Sequence, residues 1–208
     1  MTGSKTARIV LASASPRRRD LLNQIGLSFE LFPGAIPEEI PAGARPEALA
    51  RELAERKART TAALLAGKGM EGPPPLILAA DTIVVLGDDI LGKPGDAAEA
   101  RVMLARLAGE VHRVITGVAL LEPADNGRRE RFLVEHEETR VKMRPMTPAM
   151  IEAYVATGEP LDKAGAYAVQ GKGSVLVERI EGCYFNVVGL PLARLARMLE
   201  GFGVRVLG

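Results

Sequence analysis

A single cysteine, Cys183, no tryptophan and only two histidines mark this chain by what it lacks. One thiol forbids an intramolecular disulfide, so the fold must rest on packing, and a reducing compartment is its natural home. His112 and His136 have no metal-ligand spacing and no cysteine pair accompanies them, which argues against a zinc site. Aromatics make up only 4% of residues, too few for a base-stacking platform, and the formal net charge of +1 creates no global basic field. Both features disfavour a nucleic-acid partner. No run reaches the roughly 18 apolar residues of a membrane span, and the opening MTGSKTARIVLASASPRRR has no apolar stretch long enough for a signal peptide. The expectation is a soluble, cytoplasmic protein with no membrane partner.

What is present is an ordinary globular composition. The 208 residues are 47% hydrophobic and 25% charged, enough for one large domain or two small lobes. ARIVLA (7–12) reads as a buried strand that breaks at SASP, where Pro16 opens a helix with Ser15 at its N-cap and Gly26 as its stop. SFELFPG (28–34) reads as a second strand. PEALARELAERKARTTAALLAG (46–67) is the longest helix, with Leu49, Leu53 and Leu65 on one stripe. After a Gly/Pro linker comes LILAADTIVVL (76–86), a buried strand. Asp96 and Glu99 resemble a capping box, and Asn-Gly in ADNGR signals a hairpin between two long extended stretches. A helix from Pro148 to Gly158, a strand SVLVERI, a helix from Pro191 to Glu200 and a last strand VRV complete the chain. Helices alternate with strands around an inserted hairpin, so the class is α/β with a mixed sheet.

Three stretches carry groups suited to chemistry. Asp81 stands in the middle of an apolar strand, where an unpaired charge costs several kcal/mol, roughly, so it must be paired, metal-bound or set at a cleft. LASASPRRRDLL (11–22) places Arg17, Arg18 and Arg19 in the first turn of a helix, against its dipole; an anionic ligand at the free N–H groups would resolve that conflict. DKAGAYAVQGKGS (162–174) is glycine-rich and carries Lys163, Tyr167 and Gln170. Glu38, Glu39 and Lys57, taken singly, read as surface charges. GDDILGKP (87–94) begins like a Walker A loop, but Pro94 stands where a Mg²⁺-binding hydroxyl is needed and Asp88 and Asp89 would repel phosphate. A tight turn followed by Lys93 is the better reading. No nucleophile elbow or G-x-G-x-x-G is present.

In order, LASASPRRRDLL, AADTIVVLGDDILGKP, HRVITGVAL, DKAGAYAVQG and GCYFNVVGLPL resemble the Maf family of nucleoside triphosphate pyrophosphatases over nearly the whole chain. The resemblance implies one Maf/ITPase-like domain over 1–208: a mixed twisted sheet with flanking helices and two lobes around a central cleft. It implies hydrolysis of a nucleoside triphosphate between its α- and β-phosphates with Mg²⁺ or Mn²⁺. It places catalytic groups at Asp81, Lys57 and Lys93, metal ligands at Glu38 and Asp81, and substrate contacts at Ser13, Arg17, Arg18, Thr82, Lys163 and Gln170. The Tyr-x-x-Gln block is similar to the branch acting on dTTP and UTP, unlike the branch acting on 7-methyl-GTP. A nucleotide-binding regulator linked to septum formation is the alternative class, and a homodimer is compatible with either.

Overall fold

The computed structural model describes residues 8–33, 43–68, 73–125 and 127–207. In chain order they form β1 (Ile9–Leu11), α1 (Pro16–Gln24), β2 (Glu30–Leu31), α2 (Pro46–Gly67), β3 (Leu76–Leu86), β4 (Asp89–Leu91), α3 (Ala97–Leu107), β5 (Val111–Glu122), β6 (Arg131–Met143), α4 (Pro148–Val155), β7 (Val177–Glu181), α5 (Tyr184–Val188) and α6 (Leu192–Glu200). Hydrogen-bonded neighbours run β2-β1-β3-β5-β6-β7, with β4 added to β3. β1 pairs in parallel with β2 and β3, whereas β3–β4 and β6–β7 are antiparallel, so the sheet is mixed, as alternating helices and strands with an inserted hairpin require.

The chain divides into two compact units. The first comprises the chain up to Asp81, Gly117–His136 and everything from Gly189 onward. Its register is set by Val10 opposite Glu30 and Ile9 opposite Leu76. α2 forms because Pro46 presets its first turn and strong helix formers fill its length. Leu49, Ala50, Leu53, Ala54, Lys57, Ala58, Thr61 and Leu65 recur at three- and four-residue steps and are all buried. Ala54, Ala58 and Leu65 pack on Val10, Ile77, Ala79, Ala119 and Leu121. Small side chains on both surfaces bring helix and sheet very close: a Cβ at Gly117 of β5 would lie 2.0 Å from the carbonyl oxygen of Ala50.

The second unit comprises Thr82–Thr116 and Glu137–Val188. β3 and β4 form a hairpin around Gly87, whose φ of +62° suits the first position of a tight turn and a glycine. Its core gathers Val84, Leu91, Leu104, Leu107, Val114, Val141, Met143, Tyr154, Tyr167 and Leu176. The Asp96 carboxylate caps α3 by accepting the Glu99 N–H at 2.8 Å. The Glu99 side chain reaches back to the N–H of Gly95 at 2.7 Å, one residue earlier than the usual box.

Some expectations need correcting. Only Glu30 and Leu31 of SFELFPG form a described strand. Residues Gly171–Leu176 turn in a 3₁₀ helix, and β7 begins only at Val177. The Ser174 hydroxyl donates to the Gly171 carbonyl at 2.7 Å, which keeps the chain turned at the start of SVLVERI. VRV (204–206) is not a strand. The N–H groups of Gly203 and Val204 turn back to the carbonyls of Glu200 and Leu199, closing the end of α6 as a C-cap. The short helix α5, inside CYFNVVGLP, has no counterpart in the sequence reading.

Candidate functional site

In the first unit, β1 delivers the chain to Ser13, and Pro16 starts α1 directly afterwards. Ser15 holds the N-cap position without a capping bond from its side chain. The Ser13 hydroxyl instead accepts the Ser15 N–H at 3.2 Å and an Arg18 Nη1 hydrogen at 3.1 Å. Arg18 also donates through Nε to the Gly189 carbonyl at 2.8 Å and is only 8% exposed. It is therefore a fixed guanidinium with an orientation set by two protein acceptors. Arg17 is half-buried, and Arg19 is exposed beside Asp20.

Asp81 is answered by Lys57. The Lys57 ammonium donates to Oδ1 of Asp81, and the two are 9% and 6% exposed. The surface reading of Lys57 fails because it falls seven residues after Ala50 and four after Leu53, on the apolar stripe of α2. That spacing is visible in the sequence: a lysine at a core position of a helix needs a carboxylate opposite it.

In the second unit Thr82 meets the hydroxyl of Thr116 at 2.8 Å. Thr116 in turn donates to the main-chain oxygen of Asn186 at 3.2 Å. The Asn186 amide nitrogen donates to the Val114 carbonyl and to Thr139 Oγ1, each at 2.9 Å. Thr139 both accepts from the Cys183 N–H and donates to the Cys183 oxygen at 3.1 Å. Asn186 is fully buried, and its Oδ1 has no partner among the described residues. Sequence reasoning singles out none of Thr116, Thr139 and Asn186. Asn186 carries the same signal as Asp81, a polar residue inside an apolar run.

Lys93 follows the β3–β4 hairpin and is exposed. The Gly92 carbonyl accepts the Gly165 N–H at 3.0 Å, which ties the Lys163–Gln170 segment to that hairpin. The Lys163 ammonium donates to the Glu159 main-chain oxygen at 3.1 Å and pairs with Asp162. Gln170 is exposed. Tyr167 is buried and its hydroxyl lies 2.7 Å from His112 Nε2. Burial pushes the His112 imidazole down to about 4 and raises the Tyr167 phenol, so both are neutral near pH 7. Tyr167 is thus an anchor in the core. Glu38 lies outside the described residues. Among the described residues no three His, Cys, Asp or Glu side chains cluster as a ready-made metal cage, and no helix is long and apolar enough to cross a membrane.

A mixed-sheet α/β protein with a buried Lys–Asp pair and a locked arginine at a strand-to-helix turn is the class that these observations define. Residues 8–202 match the family model described as "Maf-like protein", and the chain belongs to the Maf family. It is 49% identical over 199 residues to a dTTP/UTP pyrophosphatase of Pelotomaculum thermopropionicum, covering 96% of this chain and 98% of that one. It is 50% identical over 201 residues to a dTTP/UTP pyrophosphatase of Gloeobacter violaceus, with 97% and 99% coverage. The protein of the same name from Moorella thermoacetica is 50% identical over 202 residues, with 97% and 98% coverage.

Proposed function

We propose that this protein hydrolyses dTTP and UTP to the nucleoside monophosphate and pyrophosphate. The observation that carries the reading is a buried Lys57–Asp81 pair in a chain about half identical, end to end, to proteins of that name. In this reading water attacks the α-phosphorus, its proton passes to Asp81, and the bond to the bridging oxygen breaks to release pyrophosphate. Lys57 holds the Asp81 carboxylate in place. Ser13, Arg17 and Arg18 would take phosphate oxygens. The family resemblance adds Lys93 and Lys163 as cations and Thr82 and Gln170 as the contacts that bear on the choice of base.

Asp81 also offers a hard oxygen donor of the kind that Mg²⁺ or Mn²⁺ takes. A single described carboxylate suits an ion completed by substrate phosphates and water better than an all-protein cage. Asp81 would hold it, with Glu38 as the second ligand that the family resemblance implies. Such an ion would add positive charge against the phosphate oxygens. We assign the protein to the cytoplasm on its single, unpaired cysteine.

The direct test is product analysis. With dTTP or UTP and either cation, pyrophosphate is expected as the first phosphorus product, in equal amount with the monophosphate. Orthophosphate appearing together with the nucleoside diphosphate would rule out cleavage between the α- and β-phosphates. Including 7-methyl-GTP in the same screen tests the other branch.

A second expectation separates the arginines of α1. Arg17→Ala should lower kcat/KM by about tenfold or more, the loss of a charge-assisted hydrogen bond. Arg19→Ala removes an exposed charge and should stay within about twofold of wild type. Equal small losses from both substitutions would remove the start of α1 from substrate binding.

A further inference from the structure

Residues 163–173 carry Lys163 and Gln170 without a strand or α-helix of their own; the backbone proceeds through 3₁₀ turns at Ala164–Ala166 and Gly171–Leu176. Gly165, Ala166 and Gly171 have φ of +69°, +57° and +65°, and an alanine in the left-handed region does not stay there unaided. The N–H groups of Gly165 and Ala166 are held by the carbonyls of Gly92 and Lys163, each at 3.0 Å. Around Gln170 the restraint comes from Glu159. Its Oε1 accepts the Tyr154 hydroxyl and the Gly173 N–H, both at 2.9 Å, and its Oε2 accepts the Lys172 N–H at 3.0 Å. The Tyr154 hydroxyl in turn accepts the Ala168 N–H at 3.2 Å. The backbone is therefore pinned at 168 on one side of Gln170 and at 172–173 on the other, while Gln170 itself is exposed.

The glycines show how closely this anchor is built. A Cβ at Gly171 would lie 2.7 Å from Oε2 of Glu159, and one at Gly173 would lie 2.5 Å from the Tyr154 hydroxyl oxygen. Burial opposes the charge on Glu159, but the N–H groups of Gly173 and Lys172, the Tyr154 hydroxyl and the charge of Lys163 outweigh it. The carboxyl is held below its usual range and stays ionised at neutral pH.

We infer that Glu159, relayed through Tyr154 to Ala168, is a positioning residue that fixes the Gln170 loop and thereby sets discrimination between nucleobases. The selectivity half of this inference rests on the reading that Gln170 meets the base. An amide held in one orientation matches the carbonyl and N–H edge shared by uracil and thymine and mismatches cytosine, whose donor and acceptor are exchanged; turned over, the same amide would fit cytosine.

Three variants separate the claims. Glu159→Gln keeps the size but turns an NH2 group toward N–H donors; Tyr154→Phe cuts only the relay; Gln170→Ala removes the reader. Amide hydrogen exchange over 165–174 and kcat and KM for UTP and CTP are measured on each full-length variant. Glu159→Gln and Tyr154→Phe should speed exchange at Ala168, Lys172 and Gly173. They should reduce the UTP-over-CTP ratio of kcat/KM by about tenfold, mainly through KM for UTP, with pyrophosphate still the product. Glu159→Gln combined with Gln170→Ala should lose no more selectivity than Gln170→Ala alone. Full selectivity in Glu159→Gln and Tyr154→Phe, where Gln170→Ala loses it, overturns the inference and leaves the reading of Gln170 standing. Intact selectivity in Gln170→Ala sinks that reading instead; exchange then decides the anchor, faster exchange in Glu159→Gln upholding it and unchanged exchange overturning it.

Discussion

Asp81→Asn is expected to abolish most turnover on dTTP and UTP while leaving a folded protein of reduced stability. A positioned general base contributes typically about 10²- to 10⁴-fold, and a role in holding a cation would add to that. The stability effect follows from the pairing with Lys57. Removing one partner of a buried ion pair costs about 3–5 kcal/mol where the other charge is left uncompensated. Asn still presents a carbonyl oxygen to the Lys57 ammonium, so the lower end of that range applies, and at roughly 2–4 °C per kcal/mol for a chain of this size the midpoint should fall by about 6–12 °C. Two measurements on one variant, pyrophosphate release and thermal midpoint, are enough. Near-normal release with a lowered midpoint would make the pair purely structural. Adding Lys57→Met to Asp81→Asn should recover part of the midpoint, because no charge is then left behind, and none of the turnover.

Gly117→Ala is expected to cost stability on a similar scale for an unrelated reason. The added methyl would sit 2.0 Å from the oxygen, 2.4 Å from the carbon of the Ala50 carbonyl and 2.8 Å from the Arg51 nitrogen. These are backbone atoms of α2 and cannot rotate aside. The helix must move away from β5, opening the contacts of Ala54 and Ala58 with the sheet. Overpacking of this kind costs typically about 1–3 kcal/mol and occasionally more; with helix backbone as the obstacle the upper end is expected, a midpoint lower by about 6–12 °C. Lys57 rides on the same helix, so kcat should drop as well, even though residue 117 touches no part of the proposed chemistry. A midpoint within about a degree of wild type would mean that α2 and β5 are more loosely packed than this geometry states.

How much of the molecule is legible in its sequence depends on the range of the signal. α2 can be read to its ends because Pro46, the helix formers and the apolar stripe agree along its whole length. The strand holding Asp81 is equally plain, and the anomaly of a carboxylate in it points to a partner. Lys57, taken singly, passes for surface because its charge speaks louder than its helix position, although the i, i+3, i+7 arithmetic with Ala50 and Leu53 is available. The region from 159 to 176 is the least legible. Its shape comes from one carboxylate reaching two backbone N–H groups thirteen and fourteen residues away, a contact that leaves no periodic trace. SFELFPG and VRV mislead for the opposite reason: β-branched and aromatic residues suggest strands where helix-end hydrogen bonds and the extent of pairing decide otherwise.

The polar cluster around Asn186 can be counted in hydrogens. Thr116 owns one hydroxyl hydrogen and gives it to the Asn186 main-chain oxygen, so in its contact with Thr82 the hydrogen between them belongs to Thr82. Both hydrogens of the Asn186 amide are committed, one to the Val114 carbonyl and one to Thr139, whose own hydrogen goes to the Cys183 oxygen. Donation therefore runs one way through the cluster, and the amide cannot be turned over without setting carbonyl against carbonyl. An aspartate at 186 would preserve the outline almost atom for atom and still not belong there, since it would bring oxygen where two acceptors wait for hydrogen. At this place the chain specifies its residue by proton count, and volume alone would accept the wrong one.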